Sequence, residues 1–306
     1  MTPGPPGARR CVGEGSRYEL IGPLGRGSMG EVWEARDQRL GRRVAVKFLA
    51  AHFLGAAPDA ESAAVMREPF AREGRTMARV DHAYVATIHD CETRDEVPYI
   101  VMEYVDGRAL THYVGGDPVL LEQTVRWSRQ IAEGLAAAHR EGVVHRDIKP
   151  GNILITDEGS DVRIIDFGLA RFADANDTHT DTGTPLYRSP ERCRFESGDE
   201  RSDLHSMGCV MYEMVTGWPP FGDRHSDSAA LVKAHQFQRP ARPGRQVPGV
   251  PEPFDDLIMA RCWPRTRRIV LETRGWSSGR SRRPSGTCRP HRASSTELLP
   301  QVVLRT

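Results

Sequence analysis

Eight consecutive residues constrain this chain more than anything else in it: His145-Arg146-Asp147-Ile148-Lys149-Pro150-Gly151-Asn152, with Asp166-Phe167-Gly168 beginning fourteen positions past Asn152. A lone Asp before a turn is usually a cap, and a lone His a buried structural donor. Here an acidic group, a lysine and an amide are held within six residues by a Pro-Gly turn, and a second carboxylate follows at short range. Those types suit phosphoryl transfer from a metal-bound nucleotide. Asp147 can accept the proton of an attacking hydroxyl, and Lys149 can neutralise charge on the group in flight. Asn152 and Asp166 are hard oxygen donors of the kind Mg²⁺ prefers.

Upstream, Gly25, Gly27 and Gly30 are spaced so that backbone N–H groups can approach phosphate oxygens with no side chain between. By itself this spacing equally describes a glycine-rich hairpin. A dinucleotide-binding unit requires a helix after the glycines, whereas Glu31-Val32-Trp33-Glu34-Ala35 alternates as a strand does, which excludes that reading. Lys47 ends the apolar run Val44-Ala45-Val46, a pattern that a snorkelling surface lysine also produces. Beneath a glycine-rich loop its ammonium can grip phosphates instead, provided a carboxylate holds it. Glu73, in a helix expected over 70–80 after Pro69, is the better placed partner; Glu68 is nearer but precedes the proline. Only Lys47, Lys149 and Lys233 are lysines among 42 basic residues, so two of the three fall on these motifs.

The rest of the pattern predicts a β-rich first part and a helical second part. Tyr18–Ile21, Arg43–Phe48 and Tyr99–Met102 read as strands. Leu121–Glu141 carries Val125, Ile131, Leu135 and Ala138 on one helical stripe, and Asp203–Thr216 reads as a buried helix. Short strands are expected at Asn152–Ile155 and Val162–Ile165, and residues 173–183 as a polar loop. Residues 1–16, rich in Gly and Pro, read as a disordered leader without the apolar stretch of a signal peptide. No apolar run is long enough to span a bilayer. The six scattered cysteines form no C-x-x-C pair, which fits a reduced, cytoplasmic protein and excludes a disulfide framework. A formal net charge of +1 gives no reason to expect nucleic acid as a partner.

Taken together, these motifs resemble the eukaryotic-type (Hanks-type) serine/threonine protein kinases, in their bacterial branch, from Arg17 to Cys262. The resemblance implies an α+β, bilobal fold with a β-rich N-lobe (17–105), an α-rich C-lobe (106–262) and ATP between them. It implies that Gly25, Gly27, Gly30, Val32, Ala45, Lys47, Glu73, Glu103 and Val105 surround the nucleotide, with Met102 as gatekeeper. Asp147 and Lys149 become the catalytic pair, and Asn152 and Asp166 the ligands of Mg²⁺ or Mn²⁺. Lys149, two residues past Asp147, matches the serine/threonine form. Gly183-Thr184-Pro185-Leu186-Tyr187-Arg188-Ser189-Pro190-Glu191 resembles the end of an activation segment, with Ser189 where Ala is commoner and Thr184 shaping the substrate site. Glu191 and Asp203 take structural roles, Asp203 anchoring the catalytic-loop backbone. Arg146 calls for a counter-charge, which phosphorylation of Thr178 or Thr180 (Thr182 lies close by) supplies. Implied partners are proteins bearing Ser or Thr, and a second kinase copy for autophosphorylation. A small-molecule kinase of the aminoglycoside type shares the metal chemistry but not Lys149 or the Gly183–Glu191 segment.

The resemblance stops abruptly after Cys262. The family continues with an Asp-Pro-x-x-Arg motif whose arginine pairs with the glutamate equivalent to Glu191; here the chain reads Trp263-Pro264-Arg265-Thr266-Arg267-Arg268-Ile269-Val270. Written in codons ending in G or C, and regrouped from the last base of the Cys262 codon, this stretch spells Leu-Ala-Glu-Asp-Pro-Ala-Asp-Arg, which contains the missing motif. Charge divides at the same place: 31 basic against 39 acidic residues through position 260, then 11 against 2. Residues 263–306 therefore read as an out-of-frame, disordered Arg/Ser-rich tail, the C-lobe being cut short after Cys262. A true basic tail for anionic partners is the rival reading. An unpaired, buried Glu191 is expected, at a cost of about 3 kcal/mol, and with it the alternative of a catalytically impaired ATP-binding scaffold.

Overall fold

Period-2 alternation in the first hundred residues resolves into one antiparallel sheet with two different faces. In the computed structural model, which describes residues 10–27, 30–49, 70–93, 97–156, 160–167, 185–223 and 226–262, six strands pair in the order β1-β2-β3-β4-β6-β5. They are β1 (Arg10–Val12), β2 (Tyr18–Gly27), β3 (Gly30–Asp37), β4 (Arg42–Leu49), β5 (Ile88–Glu92) and β6 (Tyr99–Glu103), with helix α1 at residues 70–77 between β4 and β5. Along β4, Val44, Val46 and Phe48 join Tyr18, Ala35, Tyr99 and Val101 in an outer apolar cluster. The intervening Ala45 and Leu49 belong to the main core, which continues through Ile100 and Met102 into the helical part. Strand geometry puts Lys47 on that second face, directed at the body of the protein.

The first strand corrects the expected leader. Residues 10–16 are ordered: Arg10, Cys11 and Val12 pair with Leu20, Glu19 and Tyr18. The chain reverses through Gly13 at φ 83° and Gly15 at φ 66°, a conformation glycine adopts without strain. A second feature is a partly buried charge network that joins Arg17 to the end of β3 and to β5. The Arg17 guanidinium holds Asp37 at 2.9 Å and Asp90 at 3.1 Å, and the Tyr18 hydroxyl donates to Asp90 at 2.8 Å. The guanidinium keeps the Asp37 carboxyl below the usual carboxylate range against the opposing effect of burial. Burial and Asp90 push the Tyr18 hydroxyl up.

The second part begins with β7 (Gly107–Ala109), followed by α2 (Leu121–Arg140), β8 (Ile153–Thr156) and β9 (Val162–Ile164), the strands forming a small antiparallel sheet in the order β7-β8-β9. Helices α3 (Glu200–Thr216), α4 (Ser228–Phe237), α5 (Pro243–Gln246) and α6 (Glu252–Cys262) complete it. The buried stripe of α2 is Trp127, Ile131, Leu135 and Ala138. Helix α3 begins three residues before the expected start because the Asp199 side chain caps it, accepting from the Arg201 N–H at 2.8 Å. It ends at Gly217, φ 82°, where a Cβ would strike the Gly116 carbonyl. Only glycine fits there. Helix α3 is buried on almost every side and, through Asp203, holds the backbone of the segment that follows α2. Among the described residues no helix is long and apolar enough to cross a membrane.

Candidate active site

The segment between α2 and β8 is held from below by one carboxylate. Asp203 on α3 is wholly buried and accepts the backbone N–H groups of His145 at 2.8 Å and Arg146 at 2.7 Å, while His139 Nε2 lies 2.8 Å from the same carboxylate. His139, in the last turn of α2, is a site residue that nothing local in the sequence marks. The His145 ring spans the loop from the other side, its Nε2 2.8 Å from the Ile165 carbonyl and its Nδ1 accepting the Asp147 N–H at 3.2 Å. Ile148 is 1% exposed and roots the loop in the core. With both ends fixed, Arg146 adopts φ 65° and Asp166 φ 67°. Positive φ in non-glycine residues costs about 1 kcal/mol or more and persists where surrounding contacts enforce it.

These anchors aim three side chains at one point. Lys149 Nζ donates to Asp147 Oδ2 at 2.6 Å. Asn152 Nδ2 donates to the same oxygen at 3.0 Å and to the Asp147 carbonyl at 2.7 Å. The amide nitrogen of Asn152 is thereby committed to Asp147, and its oxygen is the donor left for a cation. Asp166 lies one residue beyond Ile165, whose N–H donates to the Asn152 carbonyl at 3.0 Å, so strand pairing ties the two metal-ligand candidates together. A carboxylate and an amide oxygen fit a hard divalent cation such as Mg²⁺.

From the sheet, Lys47 enters the same space. It is 5% exposed and forms an ion pair with Asp166, Nζ to Oδ2 2.7 Å. A buried ammonium requires a close carboxylate, and Asp166 supplies one. Glu73 is half-buried on α1. Lys47 pairs in register with Val32 and with Ile100, and Ala45 with Met102, so Val32 and Met102 on the two neighbouring strands and Ala45 on its own strand surround the lysine. Gly25 pairs with Val32 and Gly27 with Gly30 at the hairpin mouth; a Cβ on Gly25 or Gly27 would meet nothing within 4 Å. Behind Met102, an apolar pocket is bounded by Met77, Ile100, Ile164 and Phe167, with Asp166 at its rim.

At the strand exit, Glu103 receives the Thr87 N–H at 3.2 Å and faces Arg163 at 3.4 Å, and its own N–H donates to the Thr87 carbonyl at 2.8 Å. Val105 follows in the connection to β7. Glu191 is half-buried and accepts a hydrogen bond from the Ser202 hydroxyl. The unpaired, buried carboxylate expected there is therefore not found, because α3 presents a hydroxyl to it. Arg146 directs its Nε to the Gly198 carbonyl at 3.2 Å. Gly168, Thr178, Thr180, Thr182, Gly183 and Thr184 lie outside the described residues, as does everything from Trp263 onward.

The comparison with known proteins defines the class. The protein kinase domain model matches residues 18–265, and the chain belongs to that family. Within it, the relatives are bacterial serine/threonine kinases. A probable serine/threonine-protein kinase of Streptomyces coelicolor is 40% identical over 256 residues, covering 80% of this chain and 36% of that protein. The serine/threonine-protein kinase PknB of Mycolicibacterium smegmatis is 39% identical over 259 residues, 79% of this chain and 39% of that one. This chain is thus a member of the bacterial branch of Hanks-type serine/threonine kinases, spanning little more than a third of the length of those curated relatives. The fold is also that of a point mutant of the Mycobacterium tuberculosis PknI kinase domain, with TM-score 0.60 at 24% identity over 81% of this chain and 87% of that one.

Proposed function

We propose that this chain transfers the terminal phosphoryl group of ATP, bound with Mg²⁺ or Mn²⁺, to serine or threonine hydroxyls of protein substrates in the cytoplasm. The observation that carries the reading is the convergence of Lys149 and Asn152 on a single oxygen of Asp147, at 2.6 and 3.0 Å. Asp147 takes the hydroxyl proton as the new O–P bond forms and the bond to the ADP oxygen breaks. Lys149 is within reach to follow the charge onto the transferring group. Asn152 and Asp166 would hold the divalent ion, which when bound neutralises the phosphate oxygens, and Lys47 positions the nucleotide. Glu103 and Val105, at the exit of β6, supply backbone groups for the adenine edge.

The test is phosphorylation of a generic Ser/Thr protein substrate with labelled ATP and Mg²⁺, using Asp147→Ala as control. Phosphoserine or phosphothreonine formed by the wild type and abolished in the variant supports the proposal. ATP binding with no turnover in either protein supports the scaffold reading, which the interrupted family motif after Cys262 favours.

Activation is assigned to autophosphorylation at Thr178 or Thr180 within a kinase–kinase pair, the phosphate supplying the counter-charge that Arg146 calls for. Mass spectrometry of active protein that finds neither residue modified overturns this. The stretch from Trp263 is assigned to a shifted reading frame, on the strength of the eight residues recovered by regrouping. Resequencing across the Cys262 codon decides it: a one-base gain or loss is expected, and an intact frame contradicts it.

A further inference from the structure

A second cluster lies in the helical part, away from Asp147. His205 and Cys209 stand one turn apart on α3, and His235 lies in the last turn of α4; none is more than 1% exposed. His205 Nε2 is 3.3 Å from His235 Nδ1, Cys209 Sγ is 3.6 Å from His205 Nε2, and the three donor atoms all lie within 4.8 Å of one another. Bonds of about 2.05 Å to nitrogen and about 2.3 Å to sulfur around a tetrahedral ion require edges of about 3.3 Å between nitrogens and about 3.6 Å between nitrogen and sulfur. The two measured edges have those lengths.

The surroundings prepare the donors. His235 Nε2 donates to the Leu186 carbonyl at 3.1 Å, which fixes the tautomer of the neutral ring and turns the Nδ1 lone pair inward. A backbone acceptor on the far ring nitrogen is the usual outer partner of a metal-bound histidine. His205 Nδ1 is buried with no hydrogen bond of ordinary geometry, although the Arg188 backbone acts on the ring as an acceptor. So loosely held a ring is unusual in a core unless it has another task. Burial pushes the two rings down to about 4 and about 3, so both are neutral near pH 7.

We propose that His205 Nε2, His235 Nδ1 and Cys209 Sγ form a binding site for a soft d¹⁰ cation, zinc(II) or copper(I). One thiolate and two imidazoles select such ions over Mg²⁺ or Ca²⁺. Binding releases the Cys209 thiol proton to solvent as the metal–sulfur bond forms. With zinc the centre carries one positive charge, with copper(I) none. The ion would clamp α3 to α4 and, through the His235–Leu186 hydrogen bond, to the segment that leads into Ser189 and Glu191. It has no part in phosphoryl transfer, and the proposal is independent of the kinase reading.

The experiment expresses the full chain in medium supplemented with zinc or with copper, removes loosely held metal by chelation and gel filtration, and measures the remainder by plasma mass spectrometry. One equivalent per chain is expected, and its identity decides between the two ions. Cobalt(II) supplied instead should give a thiolate-to-metal charge-transfer band in the near ultraviolet. Cys209→Ser and His205→Phe should each lose most of the metal and the band, with circular dichroism reporting whether the variant folds. Should neither variant fold, melting of the wild type with and without bound metal replaces them, and Tm should rise with metal. Folded wild type from metal-rich medium that holds less than a tenth of an equivalent and shows no cobalt band overturns the proposal. So does metal retained undiminished by a folded variant.

Discussion

The two walls of the cleft are built on opposite principles. The proposed catalytic loop is a short run of contiguous sequence locked by buried groups: Asp203 under the backbone of His145 and Arg146, His145 across to Ile165, Ile148 in the core. The proposed nucleotide wall takes its residues one or two at a time from β2, β3, β4 and β6, and strand register alone sets their spacing. At its outermost point, Gly25 and Gly27 have open space around them. Rigid positioning therefore comes from side-chain burial on one wall, and open access from omission of side chains on the other. A proton acceptor must be held to fractions of an ångström, whereas a backbone cradle for phosphates needs only to be unobstructed.

The contrast can be broken first where it is strongest. Asp203→Ala strips two buried N–H groups of their acceptor. It should lower phosphoryl transfer by about 10³-fold and stability by about 3 kcal/mol, read by turnover and denaturant melts. Next is Lys47→Ala, which leaves Asp166 without its 2.7 Å partner. A loss of about 10²-fold in kcat/KM for ATP is expected, with the fold retained, as titration of rate against ATP will show.

Asp37→Asn probes the outer edge of the nucleotide wall, far from any chemistry. It should cost about 3 kcal/mol without changing KM for ATP, since a guanidinium loses its buried carboxylate. The same group sets a pH dependence. Its pKa lies below the unfolded value in the folded protein, so its contribution is complete above about pH 4 and is lost as pH falls through the folded value. Melts from pH 6 down to 3 should show the wild type losing stability faster than Asp37→Asn. The smallest effect sharpens the comparison most. Gly25→Ala should leave stability within about 1 kcal/mol, raised if anything, yet raise KM for ATP several-fold. Gly107→Ala, whose Cβ would strike the Ile155 carbonyl, should do the reverse.

What can be read from the sequence follows the same division. The chemistry of Asp147, Lys149 and Asn152 is legible because it sits in one turn, where spacing translates directly into proximity. The sheet order is not, and because β4 is buried continuously from Val44 to Leu49, its pattern does not say which face Lys47 takes. The 2.7 Å pairing of Lys47 with Asp166 is not legible either, because distance along the chain says nothing about how closely two separate segments approach. The Arg17–Asp37–Asp90 network and the His205–Cys209–His235 trio are invisible in the sequence for one reason: each joins residues from separate elements, and no member is unusual for its own element. The ordered strand at Arg10–Val12 is masked by the Gly and Pro around it, although those glycines make the turn that lets it pair.

Asp147 is assigned to the transfer itself and other groups to nucleotide binding, so binding and transfer should come apart when Asp147 is altered. ATP affinity by calorimetry and single-turnover transfer of the terminal phosphoryl group are measured side by side for the wild type and Asp147→Asn, both with Mg²⁺. ATP affinity should stay within about threefold and transfer should slow by about 10³-fold in the variant. Equal transfer rates in the two proteins would contradict it.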